Sequence, residues 1–226
     1  MWFWLSLIAL LCWSGSDLFS KIGCQGEDDH LAHLKMVIAV GTVMGLHAAF
    51  EIFVGGTEIS WSIIWTYLPV SLLYIGSMTL GYLGLRYIEL SVSSPICNSS
   101  GALVAVMTLL FVGGEDYSPL ALGAIVLVCV GAIGLGVVDA TEDPELRAAR
   151  QAEGSRKYSK SFLALALPVA YCLLDAAGTF ADNRVLETLD EGSANCAYEL
   201  TFLFAAVLCF IYVVFIKKDR LLPKRE

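Results

Sequence analysis

Charged residues are scarce in this chain of 226 residues. Asp, Glu, Lys and Arg make up 16% of it, whereas hydrophobic residues make up 57%. Because soluble globular domains carry about 25% charged residues, this composition excludes an ordinary soluble domain. The few charges are mostly acidic, with a formal net charge of -8. An acidic chain repels phosphates, which argues against a nucleic-acid partner.

Recognisable metal sites are lacking as well. The seven cysteines lie mostly inside apolar stretches and do not have the spacing of zinc ligands. Cysteine in such places is usually a small buried hydrophobe, so we expect no disulfide framework, no metal and no cofactor. His47 and Glu51 share one helical face, and Glu199 lies early in the last apolar stretch. The His47–Glu51 pair could in principle bind a metal, but polar residues at a helix interface are the favoured interpretation.

Seven long apolar stretches are what the sequence does contain. They cover residues 2–22, 36–54, 61–85, 92–112, 119–138, 162–181 and 197–216. Each has about 19–25 residues, enough to cross ~30 Å of hydrocarbon as a helix. We therefore predict an all-α polytopic protein with seven transmembrane helices. Its expected surroundings are the lipid bilayer of a cell membrane, of the bacterial cytoplasmic type, which it crosses several times.

Basic residues are distributed unevenly between the two sides that these helices define. Lys35, Arg86 and the bases of the linker and the C-terminal tail fall on one side. Arg184 alone falls on the other side. Because loops rich in Lys and Arg stay in the cytoplasm, the pattern predicts a cytoplasmic linker and C-terminus and an external N-terminus.

An aromatic residue precedes an acid by four positions in both the first and the sixth stretch. The pairs are Trp13 with Asp17 and Tyr171 with Asp175, and this spacing puts each pair on one helical face. A five-helix unit repeated across the linker has its orientation reversed, and inverted repeats are typical of secondary transporters. We predict a first five-helix repeat over residues 1–139, a charged linker over 140–160, and the start of a second repeat over 161–226.

Charged side chains inside apolar stretches indicate a functional site, since a charge near the bilayer centre costs about 2.5–3.5 kcal/mol on insertion scales. Asp17 and Asp175 are therefore candidates for proton coupling or substrate binding, and Lys21 lies one turn after Asp17. Two structural alternatives stay open. Asp17 and Lys21 could form an ion pair within the helix, and Asp175 could be hydrogen-bonded to neighbouring helices.

Polar residues surround Pro95 at the start of the fourth stretch, over residues 93–100. Irregular backbone at membrane depth is tolerated only against protein or a water-filled cavity. We therefore predict that this segment, including Asn98 and Ser99, lines a cavity. A simple kinked start of the fourth helix is the alternative.

Aromatic residues and glycines complete the candidate set. Trp13, Tyr74 and Tyr171 are candidates for stacking on a substrate, with packing as the alternative. Glycines in the third and fifth stretches allow close approach of helices or hinge motion. The predicted hinge or packing positions are Pro95, Gly76, Gly81, Gly84, Gly123 and Gly131.

Two passages resemble the EamA-type transporters of the drug/metabolite transporter superfamily. LLFVGGEDYSPLALGAIVLVCVGAIGLG resembles that family's junction of helices four and five, with Gly114, Glu115 and Pro119 at the turn. GYLGLRYIELSVSSPICNSSGALVAVM is similar to its passage from helix three to four, and Lys21 falls where the family often has a lysine. The resemblance implies two inverted five-helix halves, so that helices eight to ten are lacking here. It also implies cytoplasmic termini, in conflict with the distribution of bases.

Together, the repeat and the resemblance predict a secondary transporter, an exporter or permease of small polar metabolites that is coupled to protons and able to form a homodimer. An amino acid or a nucleoside-like solute is the expected small-molecule substrate. The alternatives are a non-transporting fragment, a half-transporter that needs a partner chain, and a seven-helix enzyme or receptor. Residues 197–216 hold no lysine for retinal, and the stretches lack a nucleophile elbow and paired metal-binding histidines. We therefore predict that the protein is not an enzyme.

Overall fold

The structure, a computed structural model, describes residues 2–24, 29–88, 90–113, 118–141 and 162–221. Within these ranges the chain is helical apart from turns and short connections, and none of the described residues forms a strand. The all-α class is therefore confirmed. Most of the predicted linker (142–160 of 140–160) lies outside the described residues, as do Gly114 and Glu115 from the turn that carries the resemblance.

Eight helices and two wider helical turns make up the described part of the chain. The helices are α1 (Trp2–Cys24), α2 (Ala32–Phe50), α3 (Trp61–Leu85), α4 (Leu90–Cys97), α5 (Ser100–Phe111), α6 (Pro119–Thr141), α7 (Phe162–Val185) and α8 (Glu191–Ile211). A π-helical turn follows α2 at Glu51–Gly55, and another follows α8 at Tyr212–Ile216. Only two residues separate α4 from α5, so these two helices together form one membrane-length segment.

Local sequence sets several of these boundaries. The Ser60 hydroxyl accepts a hydrogen bond from the Ile63 N–H at the start of α3, and the Asp190 carboxylate does the same for Ser193 at the start of α8. Such N-caps each stabilise a helix by about 1 kcal/mol. Gly56 ends the first π-helical turn with a φ of 75°, a left-handed conformation that costs glycine little. The predicted stretch 61–85 coincides with α3 at both ends.

Among the described residues, six segments are long and apolar enough to span a membrane, which confirms a polytopic membrane fold. They are Phe3–Cys24, Ala32–Gly55, Trp61–Leu85, Val92–Phe111, Pro119–Val138 and Glu191–Ile216. The sixth predicted stretch forms α7 but is not among these six segments. The second half of α7 carries Asp175, Asp182 and Arg184.

Helix α7 nevertheless lies alongside α3 over the whole length of that span. Near the end of α3, a Cβ added at Gly84 would lie 3.4 Å from the Cβ of Leu167, near the start of α7. Near the start of α3, the Tyr67 hydroxyl donates a hydrogen bond to Asp182 at 2.5 Å, close to the end of α7. The two helices are therefore antiparallel and lie at the same depth, as a seventh span requires.

Aromatic rings and glycines alternate along this α3–α7 interface. A Cβ added at Gly81 would lie 2.8 Å from the ring of Tyr171, and one added at Gly178 would lie 3.1 Å from the ring of Tyr74. Each helix therefore contributes one ring and one glycine, seven residues apart on each helix. Because lipid supplies no hydrophobic drive between helices, close packing of this kind holds them together.

The contact between α2 and α8 is closer still, and the sequence patterns we considered did not indicate it. A Cβ added at Gly41 would lie 2.5 Å from the Cβ of Ala206 and 2.9 Å from the carbonyl oxygen of Phe202. Gly45, one turn later, faces Leu203 in the same way. Gly41 and Gly45 form a small-xxx-small pair of the kind that lets two backbones approach. Helices α2, α3, α7 and α8 are thus the packed core of the bundle.

Ion pairs join the loops at one end of the bundle. The Lys35 ammonium lies 2.7 Å from the Asp29 carboxylate and 3.0 Å from that of Asp219, just after α8. Arg86 donates a hydrogen bond to the Asp29 carbonyl at 2.7 Å. The hydrogen bond from Lys35 lowers the pKa of Asp219, because an ammonium stabilises the charged carboxylate. We call residues 29–35, 86–88 and 217–221 the basic end; it holds the described bases that were predicted to share one side, whereas those of the linker lie outside the described residues.

Candidate functional site

A cavity of about 300 Å³ lies between α1, α2, α3, α4, α7 and α8. Ser20 and Tyr82 on its wall are buried, whereas Trp13 and Asn98 are exposed. The cavity therefore opens to the outside of the bundle on the side of α1 and the α4–α5 connection. Its lining consists of Trp13, Ser16, Asp17, Ser20, Val40, Met44, Met78, Gly81, Tyr82, Leu85, Leu90, Ser93, Ser94, Cys97, Asn98, Tyr171 and Tyr198.

Asp17 is the one charged side chain among the described residues of this lining. The Ser94 hydroxyl of α4 donates a hydrogen bond to the Asp17 carboxylate at 2.5 Å. The Asn98 amide in turn donates to the Ser94 hydroxyl at 3.0 Å and to the Ser94 carbonyl at 2.9 Å. A short polar chain thus leads from the carboxylate to the exposed amide of Asn98.

The regular α-helix is interrupted where this polar chain ends. Helix α4 stops at Cys97 and α5 begins at Ser100, and between them lies a turn in which the Ser99 N–H donates to the Ile96 carbonyl, three residues back. We call this turn the α4–α5 break. It follows Pro95, which lies inside α4. The predicted cavity-lining segment 93–100 contains this turn, and four of its residues line the cavity.

The α4–α5 break contacts both of the intramembrane acids. On one side of it, Ser94 donates to Asp17, and on the other, Ser100 donates to the Asp175 carboxylate at 2.7 Å. Asp17 belongs to α1 and Asp175 to α7, the helices that the repeat predicts to be equivalent. Asp175, however, does not belong to the described lining of the cavity. The predicted alternative for Asp175, a hydrogen bond to a neighbouring helix, is what the structure shows.

Lys21 contacts groups other than Asp17, the partner that its spacing indicated. Its ammonium donates hydrogen bonds to the carbonyls of Leu85 at 2.5 Å and Ile88 at 2.7 Å. These carbonyls lie at and just after the C-terminus of α3, where a helix has unpaired acceptors and a partial negative charge. The described contacts of Asp17 and Lys21 thus go to different partners, Ser94 for the acid and the end of α3 for the base.

Aromatic rings and thioethers form much of the cavity wall. Trp13, Tyr82, Tyr171 and Tyr198 line it together with Met44 and Met78. Tyr198 donates its hydroxyl hydrogen to the Met78 sulfur at 3.3 Å. Two of the three aromatic candidates, Trp13 and Tyr171, are therefore in the site.

Tyr74, the third aromatic candidate, lies one layer behind the cavity. Its ring packs against that of Tyr198 with centroids 5.5 Å apart, and its hydroxyl donates to Thr179 at 3.1 Å. Tyr198 also contacts the Phe202 ring, 5.9 Å away. Tyr74, Tyr198 and Phe202 thus form an aromatic layer behind the cavity wall, and Phe202 also packs with Val37 and Leu85.

The predicted glycine positions fall into two groups. Gly81 lines the cavity, and Gly84 lies at the α3–α7 contact, while Gly76 has Leu174 as its nearest neighbour at 3.7 Å. A Cβ added at Gly123 or Gly131 in α6 would meet nothing within 4 Å among the described residues. A packing role for these two glycines stays a prediction that needs a partner outside the described residues.

Ser99 and Cys172 lie in a second cavity of about 380 Å³ between α4, α5, α6 and α7. The Ser99 hydroxyl donates to the Ile96 carbonyl at 2.7 Å and lies 3.4 Å from the Cys172 sulfur. The rest of this second cavity is lined by aliphatic side chains and one glycine. Ser99 is thus a cavity residue as predicted, but it lines a different cavity from Asp17.

His47, Glu51 and Glu199 do come together, at the α2–α8 interface. His47 Nδ1 lies 2.9 Å from a Glu199 oxygen, and His47 Nε2 lies 3.9 Å from a Glu51 oxygen. The described residues contain no group of three or more His, Cys, Asp or Glu arranged to hold a metal ion. His47 and Glu199 thus form a polar contact between α2 and α8, and Glu51 lies one turn after His47.

Comparison with known proteins does not assign this chain to a family. No family model matches the chain, and no curated protein or solved structure matches it. The resemblance to EamA-type transporters consequently stays a prediction from the sequence.

Several residues of the cavity were missed by sequence reasoning. Ser16 and Ser20 flank Asp17 four residues apart, and that small polar stripe was a usable signal. Met44, Met78 and Tyr198 had no such signal. They look like ordinary apolar residues of a membrane helix, and only the packing of helices places them on the wall.

Proposed function

We propose that this protein is a proton-coupled secondary transporter of small organic solutes. The observation that carries the proposal is the arrangement around the α4–α5 break, where serines on both sides bind Asp17 and Asp175. Intramembrane carboxylates are costly in lipid and commonly serve as proton relays. Broken helices beside a central cavity are typical of secondary transporters.

In the proposed cycle, the charge of Asp17 controls the α1–α4 contact. A hydrogen bond to a charged carboxylate is about twice as strong as one to a neutral group. Protonation of Asp17 therefore weakens its hold on Ser94, and deprotonation restores it. Asp175 acts on Ser100 in the same way from the other side of the break. Movement of the break then alternates access to the cavity between the two ends.

The aromatic layer of Tyr74, Tyr198 and Phe202 supports this scheme. Tyr198 lines the cavity and packs against the other two rings, so a movement of the cavity wall is transmitted to α3 and α8. The architecture we propose is that of EamA-type transporters, in a membrane of the bacterial cytoplasmic type. Export or uptake of a metabolite, rather than an enzymatic reaction, is the expected activity.

The test is proton flux driven by solute. The purified protein is placed in liposomes that contain a pH-sensitive dye, and a panel of solutes is added. We expect at least one solute to change the internal pH with wild-type protein and not with Asp17→Asn or Asp175→Asn. Glu187→Gln is the matched control, because Glu187 is an exposed acid paired with Arg184 outside the cavity. Equal flux in all four proteins contradicts the coupling role.

A half-transporter that needs a second chain is the other candidate, and α6 favours it. None of the residues from Pro119 to Val138 is buried. A helix with no buried residue in the described chain can be covered by lipid or by a second copy. Counting labelled subunits per vesicle beside the flux separates the two cases: flux only in vesicles with two copies supports the half-transporter.

A further inference from the structure

We infer that the ligand of the cavity lined by Asp17 is a compact organic cation without a carboxylate, such as an amine or a quaternary ammonium with an aromatic or aliphatic body. This rests on the proposed function only in that the bound cation is then the transported solute. The sequence alone led us to expect an amino acid or a nucleoside-like solute. The described lining of the cavity narrows that class in three ways.

The first is charge. The described lining holds one carboxylate, Asp17, and no basic side chain. Two bases at the end of α3 nearest the cavity bind backbone carbonyls: Lys21 those of Leu85 and Ile88, and Arg86 that of Asp29. A ligand ammonium therefore finds a partner in Asp17, whereas a ligand carboxylate finds no basic partner in the described lining. Because a charge without a partner in the cavity is disfavoured, an amino-acid zwitterion should bind more weakly than the corresponding amine.

The second is the aromatic wall. Trp13, Tyr82, Tyr171 and Tyr198 surround the same space as Asp17. The faces of such rings attract cations, and aromatic cages are a common way to recognise quaternary ammonium groups. The Met44 and Met78 thioethers add polarizable, adaptable surface for an apolar body. Neither feature favours a hydroxyl-rich solute such as a sugar.

The third is size. A volume of about 300 Å³ lies at the lower end of the range for ligand pockets. Polar partners other than Asp17 are few, mainly the hydroxyls of Ser16 and Ser20 and the Asn98 amide. The cavity therefore fits a small body with one cationic group better than a large solute with many polar groups.

The test compares phenethylamine with phenylalanine, which differ by one carboxylate. Binding of each to the full-length protein in lipid nanodiscs is measured by calorimetry or by displacement of labelled phenethylamine. We expect phenethylamine to bind at least about tenfold more tightly than phenylalanine, and Asp17→Asn to weaken phenethylamine binding by about tenfold or more. Asp17→Glu should retain most of the affinity, and Glu187→Gln should change nothing.

Equal or tighter binding of phenylalanine overturns the inference, as does unchanged amine affinity in Asp17→Asn. The comparison of the two ligands on wild-type protein needs no variant, so it holds even if Asp17→Asn fails to fold. Amine binding without flux in liposomes supports the ligand class and contradicts the transport proposal. Zwitterion flux without amine binding contradicts the ligand class and leaves the transport proposal intact.

Discussion

Asp17 and Asp175 have the same local sequence pattern but different surroundings. Each follows an aromatic residue by four positions, and each accepts a hydrogen bond from a serine beside the α4–α5 break. Asp17 lines the cavity, whereas Asp175 lies outside its described lining. Both preceding aromatic residues, Trp13 and Tyr171, do line it. The difference teaches that one sequence pattern can have two surroundings, and under our proposal Asp17 contacts the ligand while Asp175 holds the α4–α5 break.

Replacing each of the two acids separately should have the largest effects on binding and flux. Asp17→Asn should weaken amine binding by about tenfold or more and lower proton-coupled flux by about 100-fold or more, because an amide carries no exchangeable charge. Asp175→Asn should lower flux while leaving amine affinity within about twofold. Binding in nanodiscs and flux in liposomes measure the two effects. Equal loss of binding in both variants would mean that the two acids do the same work.

Filling the space beside the Tyr171 ring should have the next largest effect on amine binding. A Cβ at Gly81 would lie 2.8 Å from the Tyr171 ring, so Gly81→Ala pushes that ring toward the cavity. We expect about tenfold weaker amine binding, the size of a moderate overpacking cost. Gly84→Ala is the matched control, since its Cβ meets Leu167 at an ordinary 3.4 Å. Equal affinities of the two variants would place Tyr171 away from the ligand.

The two serines sharpen the comparison further. Ser94→Ala removes the hydroxyl that fixes the Asp17 carboxylate, and Ser100→Ala removes the one that binds Asp175. Because one hydrogen bond contributes about 1 kcal/mol, we expect about fivefold weaker amine binding in Ser94→Ala. Ser100→Ala should leave binding unchanged and slow the flux. The opposite pattern would assign the ligand to the Asp175 side of the break.

The smallest effect is expected for Asp219 at the basic end, where only the mobility of the chain after α8 should change. Because Lys35 lowers the pKa of Asp219, their ion pair is intact at neutral pH and is lost as the pH falls through the lowered pKa of Asp219. A spin label at Leu221 should therefore become more mobile on acidification. In Asp219→Asn the spin label should be mobile at every pH, and amine binding should be unchanged. A label that stays immobile in that variant would show that Lys35 does not hold the tail.

Sequence reasoning predicted the helices well because apolar length is a property of each segment alone. The stretch 61–85 became α3 without change, and the polar cluster around Pro95 became the α4–α5 break. The face shared by Trp13 and Asp17 was also predictable, since helical spacing determines it.

What the sequence could not show is which helix each face meets. Lys21 was one turn from Asp17, yet it binds the end of α3, because the backbone acceptors there lie within its reach. Gly41 and Gly45 were overlooked, although they make the closest helix contact described here. The rotation of each helix and the helices it packs against depend on tertiary packing. The spacing of residues within one helix does not reveal that packing.

Cation-driven proton flux in liposomes tests the central claim most directly. Phenyltrimethylammonium, a permanent cation that cannot cross lipid as a neutral base, is added outside liposomes that hold wild-type protein or Asp17→Asn, at equal protein content and with the pH inside recorded. The account predicts an immediate pH change with wild-type protein, none with Asp17→Asn, and none when phenylalanine replaces the cation. Equal signals from wild-type protein and Asp17→Asn, or a response to phenylalanine alone, would contradict it.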